Sequence, residues 1–224
     1  MRMKLLCCVL MSAALFSCAH VAEYLIAIRY VPQQHVPAGV SSLHKNSITV
    51  TVFTDARTTG NKAVIGKRVA GNGRDIAARC AQGELSTAVT GALRDFLIKN
   101  GYPVSGELPA WDLQENSISK SWGGLVIGGS VDELEVLCDA AQPATTYTAR
   151  AKLKLVFADG QRGRILHTTT IESTSVLKHF RCTREGMQEQ INSALSLALE
   201  KILDNDELEN ALREVGSVRD ESLP

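Results

Sequence analysis

Apolar residues recur along this chain with two different periods. Residues 47–54 alternate, with Ile48, Val50 and Val52 on one side and Thr49, Thr51 and Phe53 on the other. A period of two predicts a strand. Residues 24–31 are apolar and β-prone, with Arg29 the only charge, and predict another. Three more follow in succession, at 125–137, 147–157 and 164–177. The middle one is the cleanest: Ala149, Ala151, Leu153, Leu155 and Phe157 alternate with Arg150, Lys152 and Lys154. In the first, the phase changes near Asp132 and Glu133, which predicts a bulge. Asp159-Gly160 between the last two predicts a hairpin. Elsewhere the period is helical. Leu85, Val89, Ala92, Leu93, Phe96 and Leu97 place one apolar stripe on a helix over 84–100. Asn100-Gly101 fits its C-terminal cap, and Pro103 prevents continuation. A second helix, over 183–203, carries Met187, Ile191, Leu195, Ala198 and Ile202 on its stripe.

These elements predict an α+β fold: a mostly antiparallel sheet of about five strands with two amphipathic helices packed on one face. Ile48, Val50, Val52, Ala151, Leu153 and Leu155 are expected on the covered face. Two stretches predict no regular element. One is a polar, glycine-rich loop over 55–83, and the other is 104–124, which holds both tryptophans. After residue 203 come seven acids and two arginines. That acidic tail, 204–224, is expected to prolong the last helix through Leu208 and Leu212 and then fray. Residues 24–203 thus form one expected domain.

The N-terminus has a different character. Arg2 and Lys4 precede residues 5–19, a run of 15 residues with no charge. A spanning helix needs about 20, so the run is short for a membrane span and suits a secretory signal. It ends Leu15-Phe16-Ser17-Cys18, which resembles the lipobox of bacterial lipoproteins. The resemblance implies removal of residues 1–17 and acyl chains on Cys18, with residues 18–23 as a lipidated tether. Each buried methylene contributes about 0.8 kcal/mol, so several chains hold a protein firmly on a bilayer. Ala19, rather than Asp, after the cysteine implies an outer-membrane protein facing the periplasm. Phe16 is bulkier than the residue usual in that position.

Charge and cysteines narrow the chemistry. The whole chain has 24 basic and 24 acidic residues; without Arg2 and Lys4 the balance is 22 − 24 = −2. No basic excess exists to neutralise phosphates, so no nucleic-acid partner is expected. Six cysteines fall to Cys18, Cys80, Cys138 and Cys182 on processing. An oxidising compartment permits a disulfide. Cys138 and Cys182 follow the first and third strands of an antiparallel meander, so they sit at one end of it and are the expected pair. Cys80 precedes the first helix and competes with either. His179-Phe-Arg-Cys182 offers two ligands at a zinc-like spacing, but no CxxC pair completes a site. Gly60 to Arg68 misses the phosphate-loop spacing and puts Arg68 where Ser or Thr belongs. Gly71-Asn-Gly73 follows a loop rather than a strand. No G-x-S-x-G elbow or H-E-x-x-H is present, and neither His167 nor His179 is paired by spacing with a nucleophile. No cofactor, metal or catalytic residue is called for.

The order of these features resembles the YajG-type family of uncharacterised bacterial lipoproteins. The strand 48–54 runs into Asp55-Ala-Arg57, followed by Ile65-Gly66. Then come Leu85-Ser-Thr-Ala-Val89, Gly101-Tyr102 and Gly128-Gly-Ser-Val131. The resemblance implies an α+β envelope lipoprotein and supplies no activity. The expected function is non-enzymatic: a membrane-anchored accessory or interaction module of a cell-envelope complex. Its partners would be the lipid bilayer, through Cys18, and an envelope protein. The alternative is a carrier of a lipid or peptidoglycan fragment in a pocket between helices and sheet.

Overall fold

The computed structural model describes residues 23–33, 47–71, 73–140 and 144–216. Its centre is three long strands, β6 (Leu125–Asp139), β7 (Thr145–Asp159) and β8 (Arg164–His179), joined as an antiparallel meander. The bulge in β6 falls between Val131 and Glu133, as its change of phase predicts. The β7–β8 turn is held by Asp159, whose Oδ1 accepts from the N–H groups of Gln161 and Arg162, each at 3.0 Å.

The rest of the sheet corrects the five-strand, mostly antiparallel expectation. Five shorter strands lie on the far side of β6: β1 (Tyr24–Ile26), β2 (Ile48–Val50), β3 (Thr54–Asp55), β4 (Val64–Val69) and β5 (Ile76–Cys80). The sheet has eight strands and is mixed. β2 and β3 run parallel to the first half of β6, and β4 runs parallel to its second half. β4 and β5 form an antiparallel pair, and β1 closes the series parallel to β5. One row, Tyr24, Ala78, Gly66, Val136, Ala149 and Ser175, crosses from edge to edge. The expected loop 55–83 therefore contains a hairpin. Its strands are short, and Ala77-Ala78 is weak strand material, so neither shows clear alternation.

The described residues form three α-helices rather than two: α1 (Leu85–Lys99), α2 (Arg184–Asp204) and α3 (Glu207–Gly216). At the end of α1, Gly101 has φ 83°, and the N–H groups of Gly101 and Tyr102 bond the carbonyls of Ile98 and Leu97. That double capping is what Asn100-Gly101 predicts. α3 does not prolong α2. Asp206 takes φ 54° between them, and α3 turns back to bury Leu208, Ala211 and Leu212. All three helices share one core with the inner face of the sheet, where Ile48, Val50, Ala151, Leu153, Leu155 and Leu195 are fully buried. Val52 does not join them. The strand breaks after Val50, and Phe53 takes the inward place instead, its N–H donating to Thr90 Oγ1 of α1.

Among the described residues, the outer face is covered at one end only, by the segment 104–124. Trp111 and Trp122 stand edge to face there, 6.4 Å apart, over Val126, Val156 and Ala158. Gly128 makes this possible: a Cβ at that position would lie 2.5 Å from Trp111 Cε3.

Candidate functional site

Past β1 the chain stays extended, and residues 27–33 lie along α2 as a strap. Every second N–H of the strap donates to a side chain of the helix. Ala27 donates to Gln188 Oε1 at 2.9 Å and Arg29 to Asn192 Oδ1 at 3.1 Å. Val31 donates to Ser196 Oγ at 2.9 Å and Gln33 to Glu200 Oε1 at 2.8 Å. Asn192 Nδ2 returns a bond to the Ala27 carbonyl at 3.0 Å. The fit is one of periods. Two extended residues advance about 6.6 Å, and four helical residues advance about 6.0 Å. A polar row at i, i+4, i+8 and i+12 of a helix can therefore serve an extended chain as a neighbouring strand does.

The other side of the strap continues the β1–β5 pairing. Ile26 O accepts from Ala81 N. The Gln82 amide then acts as a strand residue would, accepting from Ile28 N at 3.2 Å and donating to Ile28 O at 2.7 Å. Ile26, Ile28 and Tyr30 point into the core. Tyr30 meets Phe96 edge-on at 5.3 Å, and its hydroxyl donates to Glu200 Oε1. Burial, followed by the charge of Glu200, pushes the Tyr30 phenol up to about 12. The hydrophobic stripe of α2 was legible in the sequence, but this second row was not. Its signal is compositional: Gln188, Asn192 and Ser196 stand where a solvated face would carry mostly Lys and Glu.

On its opposite flank α2 meets β8. Ser175 Oγ donates to Gln190 Oε1 at 2.7 Å, Ser173 Oγ donates to the Ala194 carbonyl, and Lys201 Nζ donates to Glu172 O. Helix α2 thus lies between the two edges of the sheet, which curls around it.

The disulfide closes the N-terminal end of this arrangement. Cys138 and Cys182 are bridged, with Cα atoms 6.1 Å apart, as the meander predicts. Tyr147, beside Cys138 on β7, holds the incoming turn: its hydroxyl donates to Arg181 O at 2.7 Å and accepts from Thr183 N at 2.9 Å. A Cβ on Gly186 would come within 2.6 Å of that hydroxyl, so the first turn of α2 needs the glycine. Cys80 remains a buried thiol on β5, two strands and four residues along from Cys138, with burial pushing its pKa up. Cys182 is occupied by the bridge, so it cannot join His179 as a metal ligand. His167 stacks on Phe157 and lies 2.8 Å from Glu207. Cys18, the expected lipid attachment, lies outside the described residues.

Two surface grooves accompany the site. One, of about 360 Å³, runs between strap and α2, lined by Arg29, Gln33, Glu185, Glu189 and Ser193 among others. The second, of about 380 Å³, lies beside the β6 bulge. Its buried cation, Arg57, is spent on structure: it forks onto Asp55 and donates to the carbonyls of Lys62 and Val64. Burial pushes the Asp55 carboxyl up, but the Arg57 bonds and charge outweigh it and hold the group below its usual range. Neither groove lies between helices and sheet.

No protein-family model and no curated protein matches the chain. Its fold is similar to that of a Xanthomonas campestris protein of the DUF330 family, with a TM-score of 0.51 at 11% identity over 90% of this chain and all of that one. A putative neuraminyllactose-binding hemagglutinin homolog of Helicobacter pylori gives 0.43 at 15% identity, over 86% of this chain and 97% of that one. The lipoprotein GNA1162 of Neisseria meningitidis gives 0.36 at 14% identity, over 70% and 98%. The first likeness shows a shared fold; the other two scores are too low to show as much.

Proposed function

We propose that this chain is a lipid-anchored, non-enzymatic lipoprotein of the bacterial envelope, of the YajG type. It faces the periplasm from the outer membrane and serves as an accessory or interaction module of an envelope complex. The observation that carries this reading is the strap. The first described residues, directly downstream of the Leu15-Phe16-Ser17-Cys18 box, are bonded on both sides, to α2 and to the β5 edge. A tether fixed in this way passes any pull from an anchor into the sheet and the longest helix rather than into a loose end. The filled interface between helices and sheet disfavours the alternative of a ligand carrier, because that reading needs an apolar cavity there. Four exposed apolar side chains, Leu137, Val176, Leu177 and Phe180, gather at a strand end instead, as suits a surface that meets something large. No described helix is long and apolar enough to cross a membrane, which leaves acyl chains on Cys18 as the attachment proposed here.

Growth with labelled fatty acid tests the reading. The wild-type protein should take up label and sediment with membranes, and Cys18→Ala should lose both or accumulate as an unprocessed precursor. An unlabelled wild-type chain refutes the proposal.

A further inference from the structure

We infer that the strand end carrying the disulfide lies on the bilayer surface, so that the domain touches lipid directly as well as through its anchor. This rests on the anchor reading above. The position of the described N-terminus comes first. Tyr24 shares a row with Val136 and Ser175, and the chain before it heads the same way as β8 does after Ser175. Ala27 and Ser175 also flank the same stretch of α2, bonded to Gln188 and Gln190. Glu23 and the end of β8 therefore emerge at the same end of the molecule on the two flanks of α2, at least one helix diameter apart, or roughly 10–12 Å. Four residues separate Cys18 from Glu23, and the five steps between them reach at most about 18 Å. A lipidated Cys18 then keeps this end of the molecule, and not the other, within that distance of the lipid.

The side chains found there suit such a surface. Phe180 is 95% exposed and Val176 61%, with Leu177 and Leu137 partly exposed beside them. Leu137, Thr148 and Val176 form one row on the outer face. Around them stand Lys67 and Arg68, in register with Leu137 and Cys138, and Lys178, Arg181 and Arg184 at the end of β8 and the start of α2, with Lys67 and Arg184 also facing the acids Asp75 and Glu185. The opposite end has the reverse balance: α2 finishes there in Lys201 and Asp204, and α3 sets Glu207, Glu209 and Glu214 against Arg213. An aromatic and aliphatic tip within a basic rim fits an interface of acyl chains and anionic headgroups. The acidic end would be repelled by the same headgroups and is left facing the periplasm.

The lipidated full chain, reconstituted into vesicles of phosphatidylethanolamine and phosphatidylglycerol, decides the matter. With Cys80 buried and the other cysteines bonded, Phe180→Cys and, at the far turn, Gln161→Cys each provide one site for a fluorophore. Phospholipids bearing a nitroxide near the headgroup are the quencher. Quenching at 180 should exceed that at 161 several-fold, and adding Lys178→Glu with Arg181→Glu should shrink the ratio. Equal quenching at both positions on floating vesicles overturns the inference alone and leaves the anchor reading standing. A chain that does not float with the vesicles overturns the anchor reading, and the orientation with it.

Discussion

The two edges of the sheet meet the same helix and are treated differently by it. On the strap side, α2 supplies an acceptor to the backbone at every second residue. On the β8 side the strand reaches out with serine hydroxyls, and Lys201 meets one carbonyl, that of Glu172. The strap runs along the helix in step with it, so each turn of α2 presents a partner where one is needed. β8 has no matching polar row opposite it, and among the described residues its backbone edge stays open apart from Glu172 O, met by Lys201, and Ile165 N, met by Glu115. Closing an edge therefore requires not a helix nearby but a polar row of matching period. An open edge is a template for another strand, and β8 carries Arg164, Glu172 and Lys178 along it as charges that discourage such pairing.

Leu195 belongs to neither edge but to the packing beneath both. Leu195→Ala should cost about 2–5 kcal/mol, since it removes a fully buried side chain and leaves a cavity. A denaturant midpoint that does not move would take Leu195 out of the core. Next in size is the bridge. Replacing Cys138 and Cys182 together by Ala should cost about 2–4 kcal/mol, the chain-entropy value for a loop of this separation being about 4. Reductant should lower the wild-type midpoint by the same amount and leave the variant unchanged; equal sensitivity of the two would refute this.

The edges themselves separate on smaller changes. Asn192→Ala strips partners from Arg29 N and Ala27 O, so it should cost about 1–3 kcal/mol. Hydrogen exchange should quicken at residues 27–33 and not in β8. Lys201→Ala, the matching change on the other flank, should cost no more than about 0.5 kcal/mol. Similar losses from the two would erase the contrast drawn between the edges. The last effect is silent at neutral pH. The fold raises the Tyr30 phenol to about 12, above its ordinary value of 10.0, so it favours the neutral form. That contribution is complete below pH 10 and is lost as pH rises towards 12. Tyr30→Phe should flatten the alkaline fall in stability in that window; a slope identical to wild type would remove Tyr30 from the account.

Local pattern was enough to locate β6, β7, β8, α1 and α2 within a few residues, together with the bulge and the cap. Each of these rests on neighbours in sequence: alternation, an i, i+3, i+4 stripe, or a glycine after an asparagine. The Cys138–Cys182 pair was also legible, because a meander of adjacent strands fixes which ends meet. What was not legible involves partners far apart in the chain. β4 and β5 take their strand character from β6 and β1, not from their own segments, which are short and, in β5, contain two alanines. Val52 and Phe53 exchange places because Thr90, on a helix 37 residues away, captures the Phe53 amide. α3 looked like a charged tail because only Leu208, Ala211, Leu212 and the half-buried Val215 meet the core.

The strap is the sharpest instance. Local pattern alone marks residues 24–31 as extended and gives α2 one apolar face. Packing of the whole chain is what sets Gln188, Asn192, Ser196 and Glu200 beside that extended segment, more than 150 residues away in sequence. The physical reason is that hydrophobic burial is written in local periodicity, whereas a hydrogen bond between a backbone amide and a distant side chain exists only after the core has placed the two side by side.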